Sequence, residues 1–140
     1  MKKLISALCL AVFAIALPSH AAGIEDAVIA GDVATVEKLI AEGVDVNNKG
    51  AMLGLRPLHY AVMASNKAMI ELLLAKGANI NIKKNDGYTP LHLAVGRGNV
   101  AMVEFLVAKG ADVNVKNNAG DTPLMLAKDD KVRALLAGGK

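Results

Sequence analysis

The chain has 140 residues, with 16 Lys and Arg against 13 Asp and Glu for a formal charge of +3, one Cys and no Trp. That is about one domain's worth of chain, and a single cysteine excludes a disulfide framework or a cysteine-built metal site. Interspersed charges that nearly cancel and only two Tyr and two Phe argue against a nucleic-acid partner, which needs a concentrated basic footprint and stacking platforms.

Met1, Lys2 and Lys3 precede an uncharged apolar run from Leu4 to Leu17, then Pro18-Ser19-His20-Ala21-Ala22. The run is short for a membrane span, which takes about 20 residues. Its basic start, its helix breaker and the small residues Ser19 and Ala21 predict a signal peptide over 1–21, cleaved after Ala21. An uncleaved anchor is the alternative. Cys9 sits inside the apolar run rather than at a cleavage position, so a lipid anchor is not expected. With Lys2 and Lys3 removed the chain would carry 16 − 2 = 14 basic and 13 acidic residues, since every acidic residue follows the leader.

Beyond the leader the sequence repeats at about 33 residues. Pro57, Pro90 and Pro123 are each followed by Leu (Leu58, Leu91, Leu124), and the small residues Ala27, Ala61, Ala94 and Ala127 fall in register. In the third unit Thr89 is placed to cap a helix opened by Pro90, whose missing N–H costs nothing in the first turn. Gly98 and Gly110 are placed to end this helix and the next. Met102, Val103, Leu106 and Val107 fall on one face of the second helix. Helices this short do not persist alone, so their stability must come from neighbouring units.

Thr89-Pro90-Leu91-His92-Leu93-Ala94 reproduces the Thr-Pro-Leu-His-x-Ala signature of a 33-residue repeat, and on these residues the chain resembles the ankyrin repeat family. The resemblance implies an all-α solenoid of helix-turn-helix units with β-hairpin fingers, about 3.5 repeats in all. The expected division is an N-terminal cap repeat 23–54, full repeats 55–87 and 88–120, and a truncated C-terminal cap 121–140. Glu25 and Asp26 suit the outer face of the first unit, and the charged run from Lys128 to Arg133 reads as a solvated face. The first finger is one residue longer than the others, and Ser65 stands where Gly31 and Gly98 end their helices. A left-handed Ser is strained by about 1–2 kcal/mol, so the second repeat is expected to be the softest.

No catalytic constellation is visible, and the chain reads as a non-enzyme. After the leader the only Ser is Ser65 and the only histidines are His59 and His92. They occupy one motif position in adjacent repeats, a helix-packing distance of about 8–10 Å apart, too far to share a metal. The resemblance implies a structural role for them, pinning the turn. No cofactor or metal is expected.

Ankyrin repeats typically engage protein partners through finger tips and the concave side of their first helices. Carried over in register, this nominates Ile29, Met52, Leu53, Leu55, Met63, Tyr88 and Arg97 as partner-binding residues. Met52, Leu53 and Leu55 stand at a finger whose neighbours are polar, so with Ile29 and Met63 they would form one apolar patch flanked by Tyr88 and Arg97. The alternative is that the longer finger folds back and buries them. The resemblance thus implies a module that is monomeric until it binds another protein, and the leader's two lysines and small-residue cleavage site would place it in the periplasm or, alternatively, outside the cell. It would serve as an antagonist, such as an immunity protein blocking an exported toxin, or alternatively as an accessory factor for a redox enzyme such as a catalase.

Overall fold

A computed structural model describes residues 23–50 and 53–138. The expected signal peptide and Met52 lie outside them. Eight helices follow in pairs: α1 (Ile24–Ala30) and α2 (Val33–Ala41), α3 (Pro57–Met63) and α4 (Lys67–Ala75), α5 (Pro90–Gly96) and α6 (Val100–Ala108), α7 (Pro123–Leu126) and α8 (Asp130–Gly138). Among the described residues no helix is long and apolar enough to cross a membrane.

Local chemistry explains the helix bounds. Pro57, Pro90 and Pro123 open their helices, and Thr89 and Thr122 accept a hydrogen bond from the N–H three residues on. Each second helix of the first three units has a cap that the motif reading passed over: Asp32, Asn66 and Asn99 accept from the N–H of Thr35, Met69 and Met102, each at 3.1 Å. Between α1 and α2, and between α5 and α6, the chain turns through Gly31 and Gly98 with φ of 74° and 68°, and Ser65 adopts the same left-handed backbone at 56°. The strained Ser expected from the sequence is therefore present. Its Oγ accepts a bond from Asn99 Nδ2 at 3.2 Å, which ties the turn to the next repeat.

First helices pack against first helices along the whole row, α1 on α3 on α5 on α7, whereas among second helices α6 and α8 make the extensive contact. The small buried Ala27, Ala61, Ala94 and Ala127 permit that close row, on the side that the family resemblance makes the concave one. Between the rows one apolar core runs through every unit, from Ile24 and Val28 through Leu58, Leu91 and Leu106 to Leu136. Burial shared across repeats is what stabilises helices of four to nine residues that would melt in isolation.

The fingers are tight closures: among the described residues there is no strand, the N–H of Gly50, Lys84 and Asn117 donates to the carbonyl of Leu55, Tyr88 and Asp121, and the N–H of Gly87 and Gly120 donates back to the carbonyl of Lys84 and Asn117. With so few residues there is room for a turn but not for a ladder. In the last unit α7 stops at Leu126, and Leu124 and Met125 stay 40% and 64% exposed, because among the described residues no helix covers the positions that Leu91 and His92 occupy inside the stack. The charged run does face solvent as expected.

Candidate functional site

The two histidines come first, since they are the residues best suited to chemistry. His59 and His92 are fully buried. Nδ1 of each accepts the backbone N–H three residues earlier, Arg56 and Thr89, at 3.1 Å. Nε2 donates to a carbonyl in the following finger, Tyr88 at 2.9 Å for His59 and Asp121 at 3.0 Å for His92. A carbonyl only accepts, so both rings are the neutral Nε2–H tautomer. Burial is the main force lowering both pKa values, that of His59 to about 4. With both nitrogens engaged, neither ring has a lone pair left for a metal or a substrate proton. Their local half, the turn-pinning bond, matches the expectation; the bond into the next repeat does not appear in sequence spacing. Met125 takes this position in the last unit, where the described residues include no next finger to accept from a donor, and its Sδ meets the Thr122 N–H at 3.5 Å. Among the described residues no three His, Cys, Asp or Glu side chains gather as metal ligands.

The first finger divides the expected patch. Leu53 is exposed at 62%, but Leu55 is buried at 7%, so Leu55 is not part of an exposed tip. Leu55 holds the last position of its finger, equivalent to Tyr88 and Asp121, and the extra residue of this finger is absorbed in the wider Gly50–Leu55 closure while that position stays turned inward. Successive fingers are hydrogen-bonded in a row, Asn85 N–H to Leu53 O at 3.1 Å and Asn118 N–H to Asp86 O at 3.0 Å. Gly87, at φ 85°, is required there because a Cβ would lie 2.6 Å from the Asn118 backbone nitrogen.

Tyr88 is held within the second finger. Lys84 Nζ lies 5.2 Å from its ring centroid, the His92 ring packs at 5.3 Å, and its carbonyl is the acceptor for His59. Lys84 also pairs with Asp86 at 2.7 Å. Burial pushes the Asp86 carboxyl up, but the bonds from Lys84 and the Tyr88 N–H outweigh it and hold the pKa below its ordinary value. This cluster stiffens the finger, and Tyr88 does not line the concave groove.

Ile29, Met63 and Arg97 do come together. With Tyr60 and Ala64 they line a groove of about 330 Å³ on the first-helix side. Ile29 is 56% exposed and Met63 partly so. Arg97 is exposed and its Nη1 donates to the Met63 carbonyl at 3.2 Å. Tyr60 was nominated by no motif, yet it stands one helical turn before Met63 on the same face, a spacing that could have found it. Burial, then the carboxylates of Glu25 and Asp26, raise the pKa of its phenol. Two larger grooves of about 480 and 560 Å³ lie on the opposite side between α6 and α8, around Glu104, Ala134 and Leu135. They coincide with the shortened last unit and receive none of the nominated residues.

A stack of paired helices, with its histidines consumed in holding the repeats together and an open groove on its first-helix side, defines a repeat-built binding scaffold. Residues 24–117 match the family described as Ankyrin repeats, in three copies, and the chain belongs to that family. The match ends before the last unit, which has lost the motif His and part of its second half. No curated protein matches the chain significantly. Among solved structures, the ankyrin repeat domain of Bcl-3, described as a unique member of the IkappaB protein family, is similar with a TM-score of 0.77 and 38% identity, over 82% of this chain and 50% of that one. The chain thus spans half the length of that domain. Ankyrin repeat domains are typically non-catalytic modules that bind other proteins.

Proposed function

We propose that the chain is an exported interaction module that binds a partner protein through its concave face and acts as an antagonist of that partner, in the manner of an immunity protein. The observation that carries the binding reading is the groove at Ile29, Tyr60, Met63, Ala64 and Arg97, where three of the residues nominated by motif register converge on an open apolar surface. Contiguous exposed apolar surface rimmed by polar groups is where partners dock, and a rigid stack loses little entropy in presenting it. Export is supported by the leader pattern of 1–21. Both ring nitrogens of His59 and of His92 are occupied, which suits these residues to holding repeats together rather than to chemistry.

The test is affinity capture with residues 22–140 from the cells that make the protein, run beside an Ile29→Asp, Met63→Asp variant whose helicity is verified. One protein retained by the wild type and lost by the variant supports the reading. If the wild type retains nothing, the reading fails. Assay of a captured enzyme with and without the chain then separates antagonist, which lowers its activity, from accessory factor, which raises or preserves it.

A further inference from the structure

The groove has opposite charge at its two edges. On the first-repeat side, one helical turn before Ile29 on α1, stand the carboxylates of Glu25, which accepts from Asn48 Nδ2 at 3.1 Å, and Asp26, which accepts from the Gly23 N–H at 3.4 Å; after burial, both also raise the pKa of the Tyr60 phenol. At the third-repeat side stands Arg97, fixed by one nitrogen to the Met63 carbonyl, with the rest of its guanidinium fork without a hydrogen-bond or ion-pair partner among the described residues. Between them lie the apolar side chains of Ile29 and Met63. A guanidinium that is already positioned, with free donors in a planar fork, is matched to a carboxylate. Carboxylates on the opposite edge repel a second anion and attract a cation.

We infer, building on the binding-module reading above, that the groove recognises a polarised segment of a partner protein: an apolar side chain seated on Ile29 and Met63, an Asp or Glu beside it at Arg97, and a Lys or Arg at the Glu25 and Asp26 edge. A phosphate-rich ligand is disfavoured by the acidic edge. A small molecule would find no enclosure, since the site is an open face rather than a cavity. The mixed edges also fix direction, because reversing the segment places like charges together at both ends, a cost that supplies specificity more than affinity.

The test uses short capped peptides with one central Leu, flanked by Lys and Asp in each order, by two Asp or by two Lys. Binding to residues 22–140 is followed by fluorescence anisotropy and by amide chemical shifts at Tyr60, Met63 and Arg97. One of the two mixed orders is expected to bind about tenfold tighter than its reverse and than the two-Lys peptide, a difference of about 1.4 kcal/mol. Arg97→Glu, an exposed substitution, is expected to shift the preference to the two-Lys peptide. Arg97→Lys keeps the preference with a smaller ratio, and Ile29→Asp abolishes the shift changes. Absence of binding by every peptide, equal binding of all four, a preference unchanged in Arg97→Glu, or shift changes away from the groove overturns the inference. Sedimentation showing a dimer that occludes the groove would overturn it in favour of a second copy. Capture of the same partner by wild type and Arg97→Glu alike defeats this inference and leaves the module reading intact, whereas a wild type that captures nothing defeats the module reading itself.

Discussion

His59 can hold both of its hydrogen bonds only while it is neutral, because a proton on Nδ1 would turn the acceptor of the Arg56 N–H into a donor. The ring sits in an interior that penalises charge, and its pKa falls from 6.5 to about 4. The unfolded chain therefore takes up the proton first as pH drops. Stability from this residue is complete above about 6.5, is lost progressively below it, and stops falling near 4, with about 3 kcal/mol at stake. His92 acts in the same direction. Urea unfolding followed from pH 7 to pH 4 is expected to show this decline, and His59→Gln to flatten it while costing about 1–3 kcal/mol at pH 7. Leu55 makes a second prediction at this scale. Since it is buried, Leu55→Ala is expected to cost about 2–3 kcal/mol of stability and to leave partner capture by the folded fraction unchanged, which thermal unfolding and capture together check.

The second repeat is where the elements are least well made. Ser65 holds a left-handed backbone that Gly31 and Gly98 adopt without a Cβ, and Arg56 stands where Thr89 and Thr122 supply a capping oxygen. Arg56 substitutes in another way, reaching the Asn47 carbonyl at 3.1 Å and the Lys83 carbonyl at 3.4 Å and so fastening two fingers. Ser65→Gly relieves about 1–2 kcal/mol of strain against about 0.5–1 for the added freedom of the unfolded chain and the loss of the exposed Asn99 bond. A net gain of up to about 1 kcal/mol is expected by chemical denaturation. Asn99→Ala removes both the cap of α6 and the bond to Ser65, and is expected to cost about 1–2 kcal/mol in the same assay.

At the scale of the molecule, three contacts between repeats recur along the stack: the alanine row of first helices, the histidine-to-carbonyl bonds, and the finger-to-finger backbone bonds. The first was legible in the sequence, because Ala27, Ala61, Ala94 and Ala127 recur in register and periodicity reports what each unit repeats. Helix starts at Pro57 and Pro90 and the strained Ser65 were legible for the same reason. The bonds from His59 and His92 were not, since they reach a carbonyl 29 residues away, and a backbone acceptor leaves no mark in composition. Asn66 and Asn99 were readable as caps from their place just before α4 and α6 and were passed over for the louder Thr-Pro-Leu-His pattern. Of the nominated site, Ile29, Met63 and Arg97 converge because motif register places them on one face. Leu55 and Tyr88 depart from it because finger residues turn inward by amounts that depend on how each finger closes.

The central claim is that the concave groove is the surface a partner occupies, and site-directed photocrosslinking in the cells that make the protein tests it most directly. A benzophenone side chain placed at Met63, on the groove, is compared with one at Glu104, exposed on the opposite side. One discrete protein adduct is expected from position 63 and none from position 104. An adduct from position 104 alone, or from neither, would contradict it.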